Sequence, residues 1–147
     1  MFLPSYSIGV DSYKKIPYVT RRYGNKVVVI GGKTAISKSK NSILEGVSES
    51  NIEILDFIWY GGNSSYENVE ALLNNAKVKN AYIIFAVGGG RAIDTCKVVS
   101  DKLDKPMFSF PTIASNCAAC TAIAVMYNAD DTFRDYYYPN EPAIHTF

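Results

Sequence analysis

The run Ala81 to Val87, AYIIFAV, is the most apolar stretch of the chain, and it ends on three consecutive glycines, Gly88 to Gly90. Beyond them, Ile93 to Leu103 carries Cys96, Val99 and Leu103 at helical spacing, so a helix with those residues facing inward is expected. A strand apolar on both faces suits a parallel sheet covered by helices better than a half-exposed hairpin. Glycines at its end leave no side chain to block a ligand and accept positive φ. The first backbone N–H groups of the next helix lack intrahelical partners and sit at the positive end of its dipole. That makes the turn an anion site suited to a pyrophosphate. The competing reading is a tight turn that binds nothing, because short glycine motifs recur by chance. VGGGRAIDTCK is also not the spaced G-x-G-x-x-G fingerprint.

The same strand-then-helix order runs through the rest of the chain. Lys26 to Ile30, KVVVI, is a β-branched run stopping at Gly31-Gly32, and reads as a second buried strand. Thr34 to Glu49 places Ile36, Ile43, Leu44 and Val47 at helical spacing. Asn51 to Phe57 alternates apolar and polar residues, as a strand nearer an edge would, until Gly61-Gly62-Asn63 breaks it. Tyr66 to Lys79 carries Val69, Leu72, Leu73 and Ala76 on one face of an expected helix. Pro106 to Phe110 is a fourth strand, closed by Pro111. The alternation predicts an α/β fold: a Rossmann-like parallel sheet flanked by helices. After Pro111 come small residues and the strand-like AIAVMY, then Asn128 to Asp131, whose side chains favour turns. A hairpin or excursion leading to a last strand, Ala143 to Phe147, is expected.

Composition narrows the classes. A chain of 147 residues allows one domain with a real core. The net charge of +1 gives no electrostatic reason for nucleic acid or an anionic membrane as partner. No apolar run approaches the ~20 residues of a membrane span, and the N-terminus lacks the pattern of a signal peptide. Three cysteines, an odd count, argue against a disulfide framework and for a reduced, cytoplasmic protein. The chain stops on the strand-like AIHTF, so a fragment is expected.

The second chemical feature is FSFPTIASNCAACTAIAVMY. Small polar residues after a strand, at the carboxyl edge of a sheet, lie where open α/β folds bind ligands. Thr112, Ser115 and Thr121 offer hydroxyls without bulk, a wall for a flat ring; the alternative is a loop that only packs. Cys117 and Cys120 form a C-x-x-C. Two thiolates do not complete a tetrahedral zinc site, and a redox pair needs an activating cation or helix terminus that the sequence does not show. Tyr136-Tyr137-Tyr138, without a basic stripe, reads as an aromatic pack. The single histidine, His145, reads as an ordinary surface or strand residue.

Together, GGGRAIDTCK and PTIASNCAACTAIAVMY resemble the iron-containing alcohol dehydrogenase superfamily, most closely its glycerol dehydrogenase branch. The family shows GGGK-x-x-D-T-x-K, a helix, then a strand ending in P-T-x-A-S-x-D-A-x-x-S-x-x-x-V-x-Y, at the same separation. PSYSIGVDSYKKI followed by KVVVIGG resembles the family's opening hairpin, helix and first nucleotide-binding strand. The resemblance covers nearly all of this chain but only the N-terminal half of a member. It implies that residues 1–147 are a nicotinamide-dinucleotide-binding domain, with a helical, metal-binding domain to follow. Gly88, Gly89, Gly90 and Arg91 would hold the cofactor pyrophosphate. Thr112, Ser115, Thr121, Ile123 and Tyr127 would line its adenine, ribose and nicotinamide parts. Asp94 and Lys97 match the motif too, with bland roles expected: a first-turn acid favoured by the helix dipole and a solvated lysine.

Three departures stand out. The family's substrate-side aspartate falls on Cys117, which puts glycerol itself in question. The ribose-binding aspartate falls at or near Gly32, with Lys33 after it, so NADP is an option beside NAD. The family's metal ligands, an aspartate and two histidines, lie in the helical second domain, which would hold a divalent ion, zinc or iron. No catalytic residue is assigned within this chain. The resemblance implies an NAD(P)-dependent oxidoreductase acting on a small alcohol or polyol, with self-association allowed. The alternatives are a metal-free or glycerol-phosphate dehydrogenase relative, or a nucleotide-binding module without catalysis.

Overall fold

The computed structural model describes residues 5–114 and 117–147. In chain order its first half comprises β1 (Ser5–Tyr6), α1 (Ile16–Thr20), β2 (Lys26–Gly31), α2 (Lys33–Val47), β3 (Glu53–Trp59), α3 (Tyr66–Leu73) and α4 (Ala76–Asn80). The second half adds β4 (Ile83–Gly88), α5 (Gly90–Leu103), β5 (Met107–Pro111), β6 (Ala124–Tyr127), β7 (Phe133–Tyr137) and β8 (His145–Thr146). Six strands form one sheet in the order β1-β8-β5-β4-β2-β3, every neighbouring pair parallel. β6 and β7 stand apart as an antiparallel hairpin. The fold is α/β, a parallel sheet flanked by helices.

Period-two alternation along the buried strands divides the core between the two faces of the sheet. Val27, Val29, Ile83, Phe85, Val87, Phe108 and Phe110 pack with Ile16, Ile43 and Val47 of α1 and α2. Val28, Ile30, Ile84, Ala86 and Met107 pack with Val69, Leu72, Val78, Ile93 and Cys96 of α3, α4 and α5. Each large side chain buried this way contributes about 1.5–3 kcal/mol. β3 is the edge strand that its alternation predicts, and its exposed positions Glu53, Asp56 and Trp59 face outward.

Three expectations need correction. The helix expected over Tyr66 to Lys79 is two short helices, α3 and α4. Asn75 Oδ1 accepts from the N–H groups of Lys77 and Val78 (2.9 and 3.3 Å), starting a new helix. An asparagine side chain competes with the helical ladder and caps it. Among the described residues the opening segment forms no hairpin: β1 pairs in parallel with β8, Ser5 opposite His145. The partner of the first strand is at the far end of the chain, where no local pattern reports it. His145 is a strand residue but not a surface one. It is 5% exposed, with Ser5 Oγ 2.6 Å from Nδ1 and Ser7 Oγ 2.9 Å from Nε2. Among the described residues, no helix is long and apolar enough to cross a membrane.

Candidate functional site

α2 leaves the end of β2 onto one face of the sheet, and α5 leaves the neighbouring β4 onto the other. The crevice between the carboxyl ends of β2 and β4 is therefore the topological switch point, where open α/β sheets bind their ligands. Both strands end in glycine there for steric reasons. A Cβ at Gly31 would run into the Val87 carbonyl oxygen. Gly88 has φ +144°, a conformation L side chains rarely adopt, and a Cβ there would lie 3.1 Å from that of Ala92. The backbones meet through Gly32 N–H, which donates to Val87 O at 3.2 Å.

A cleft of about 670 Å³ opens on this crevice, lined by Gly32, Lys33, Lys38, Trp59, Gly88, Gly89, Gly90, Arg91 and Thr112 among others. A second cavity of about 360 Å³ adjoins it through Gly90 and Arg91, and is lined by Asp94, Cys117, Thr121, Ile123 and Tyr127. The two expected clusters thus meet at the start of α5. Gly32, the three glycines, Arg91 and Thr112 surround the first cavity. Arg91, Cys117, Thr121, Ile123 and Tyr127 surround the second. Ser115 lies outside the described residues.

Arg91 does not point freely at the glycine turn. Its Nη1 donates to Asp131 Oδ1 at 2.8 Å and to Asn63 Oδ1 at 3.1 Å, and its guanidinium carbon lies 4.4 Å from the Tyr127 ring centroid. Asp131 belongs to the tight turn of the β6–β7 hairpin and Asn63 to the loop after β3, so three chain segments converge on one cation. The ion pair is partly exposed and contributes about 0–1 kcal/mol, little enough for a phosphate to compete for the guanidinium. At the other lip, Lys33 Nζ stands 4.1 Å from the ring centroid of Trp59, which is 47% exposed. Tyr60, which lines the same cleft, donates its O–H to Gly62 O at 2.9 Å, and burial raises its phenol pKa.

Behind the second cavity, Lys97 is buried, correcting the solvated role expected for it: the residue is 2% exposed. Its ammonium donates to Asp94 Oδ1 (3.0 Å), Thr121 Oγ1 (3.4 Å) and Ile123 O (2.6 Å). Asp94 Oδ2 in turn accepts from Val125 N–H at 3.0 Å. The pair binds residues 121–125, one wall of the cavity, to α5. Three of its partners lie more than twenty residues away, which is why the motif alone suggested a surface lysine. Asn63, Trp59 and Asp131 are the residues around the candidate site that sequence reasoning missed. The one local signal was the proximity of Trp59 and Asn63 to the Gly61-Gly62 break.

The residues present suit a dinucleotide: glycine backbone where side chains would block approach, cations at the rim, and hydroxyl and apolar side chains in the adjoining wall. They do not suit a metal. Among the described residues, no three His, Cys, Asp or Glu side chains come together as an ion would need.

In doubly wound α/β domains the crevice at the switch point is where ligands bind, and here that crevice is lined by glycines. The profile of the iron-containing alcohol dehydrogenases matches residues 4–143, and the chain belongs to that family. It is 27% identical over 140 residues to a glycerol dehydrogenase of Pseudomonas putida, covering 95% of this chain and 38% of that protein. It is 28% identical over 115 residues to a glycolaldehyde reductase of Halobacterium salinarum, covering 78% and 31%. The crystal structure of glycerol dehydrogenase from Schizosaccharomyces pombe superposes with a TM-score of 0.85 at 22% identity, over 100% of this chain and 37% of that one. The chain spans about a third of the length of the relatives it matches.

Proposed function

We propose that residues 1–147 are the nicotinamide-dinucleotide-binding domain of an NAD(P)-dependent oxidoreductase acting on the CH–OH group of a small alcohol or polyol. The observation that carries this reading is the glycine crevice between β2 and β4, with Arg91 at its rim. The pyrophosphate lies against Gly88, Gly89, Gly90 and Arg91, and the adenosine ribose against Gly32. The nicotinamide half enters the second cavity, against Thr121, Ile123 and Tyr127, while Thr112 lines the first. When bound, the cofactor supplies the hydride chemistry. The chain's own part is to orient the dinucleotide, with the Asp94–Lys97 pair fixing the wall on which the ring rests.

Cys117 stands at the substrate end of that wall, where a thiol offers one weak donor and one weak acceptor. A substrate less polar than glycerol at that end suits it better. The absence of a carboxylate at Gly32, with Lys33 beside it, favours accepting a 2′-phosphate, so NADP is carried beside NAD. A divalent ion, zinc or iron, would act from residues outside those described here. The setting proposed is the cytoplasm, with self-association open.

Calorimetric titration of the folded chain with NAD and NADP tests the reading. At least one should bind, and Arg91→Ala should weaken it by roughly 10- to 150-fold, the loss of a charge-assisted contact of about 1.5–3 kcal/mol. A folded chain that binds neither dinucleotide would overturn the assignment.

A further inference from the structure

A 3₁₀ turn between β5 and β6 carries two exposed cysteines three residues apart, Cys117 and Cys120. Cys120 N–H donates to Cys117 O at 3.1 Å, closing a 3₁₀ turn over Ala118–Cys120. Residues i and i+3 of such a turn stand above one another, about 6 Å apart at ~2.0 Å of rise per residue. A disulfide spans Cα separations of roughly 4.4–6.8 Å, so the bond can close without moving the backbone far. The Cys120 thiol already lies over residue 117, donating to its carbonyl oxygen at 3.4 Å. The turn is anchored from below: Ala119 O accepts from Ser109 Oγ (2.9 Å) and Thr146 Oγ1 (3.1 Å). Thr121 Oγ1 donates to Cys117 O at 3.0 Å. Cys117 and Cys120 are exposed, whereas Cys96 is buried and burial pushes its thiol pKa far up.

We propose that Cys117 and Cys120 form a reversible dithiol–disulfide site, oxidised by a small-molecule disulfide. Cys117 opens on the cavity shared with Gly90 and Arg91, and is the thiol an incoming molecule meets. It loses its proton to solvent and attacks one sulfur of the small disulfide, giving a mixed disulfide and releasing one small thiolate, which takes up a proton. Cys120, deprotonated in turn, attacks the Cys117 sulfur, closing the intramolecular bond and expelling the second small thiol. Two protein thiols are oxidised and one small disulfide is reduced to two thiols. Neither exchange step depends on what the crevice binds. Transient, reversible disulfides of this kind are compatible with a reducing compartment.

The test is incubation of the folded chain with oxidised glutathione, followed by intact-mass measurement and peptide mapping. The wild type should lose two hydrogens, with the bond mapped between Cys117 and Cys120 and Cys96 left free. Both fast-reacting thiols should disappear from a native-state titration and return with dithiothreitol. Cys117→Ser and Cys120→Ser should each stop at one bound glutathione on the remaining exposed cysteine, with unchanged circular dichroism. A wild type that holds two glutathiones, links two chains, or stays fully reduced overturns the site.

Discussion

At Gly32 the geometry permits a substitution that the reading of the crevice makes informative. The residue is the N-cap of α2 in an extended conformation, and an added Cβ would meet only that of Ala35, at 3.9 Å. Aspartate is a good N-cap, so Gly32→Asp should fold normally. A carboxylate there should repel a 2′-phosphate and accept the hydroxyls of an unmodified ribose. The NADP-to-NAD affinity ratio should fall by roughly tenfold, about 1.4 kcal/mol, in parallel titrations. An unmoved ratio would show that the ribose does not reach the end of β2. Gly32 also shows what a sequence can carry, because a glycine pair closing a β-branched run is readable without coordinates. The state of Arg91 is not, because its partners Asn63 and Asp131 lie 28 and 40 residues away.

Among the elements, helix ends and one buried ion pair decide the local architecture. Asn75→Ala removes the cap of α4 and should lower stability by about 0.5–2 kcal/mol, read from the midpoint of urea unfolding. No change would mean that α4 is held by Val78 alone. Lys97→Met leaves Asp94 buried with its ammonium partner gone and frees the wall at residues 121–125. A loss of about 3–5 kcal/mol is expected. Asp94→Leu combined with Lys97→Met should recover part of it, since an apolar pair leaves no uncompensated charge. If the double variant is no better than the single one, the tie to Ile123 O and Val125 N–H matters more than the charge. The same open end of the β6–β7 hairpin is tied through its second strand, where Tyr137, opposite Ala124, donates its O–H to Asp101 Oδ2 at 2.6 Å. That bond pushes the Tyr137 phenol up to about 12 and holds the Asp101 carboxyl below its usual value.

At the scale of the whole molecule, β1 and β8 join the two ends of the chain along one side of the sheet, and His145 is the buried group at that joint. Burial lowers its pKa below the ordinary 6.5, with the Lys15 charge adding to the effect. The unfolded chain therefore binds the proton first as pH falls. Stability should be constant above the unfolded value, decline as pH drops through 6.5, and level off once the folded form is also protonated. Urea midpoints measured from pH 8 to pH 5 should show this decline, and His145→Gln should flatten it. An equal decline in the variant would assign the acid sensitivity to the carboxylates instead.

The sequence by itself determined the α/β class, the four consecutive strands β2 to β5, the glycine crevice and the two clusters that border it. Each is written within a few residues: β-branched runs, helical periodicity, and glycines where a Cβ cannot fit. It also determined the family resemblance, because the spacing of GGGRAIDTCK and PTIASNCAACTAIAVMY is itself a sequence property. Only the tertiary structure decided the parallel pairing of β1 with β8, the burial of Lys97 and His145, and the capture of Arg91 by Asn63, Asp131 and Tyr127. The physical reason is the same in each case. Hydrophobic periodicity and turn chemistry act over one or two turns of chain, whereas desolvation and ion pairing depend on which distant segments the fold brings against a side chain.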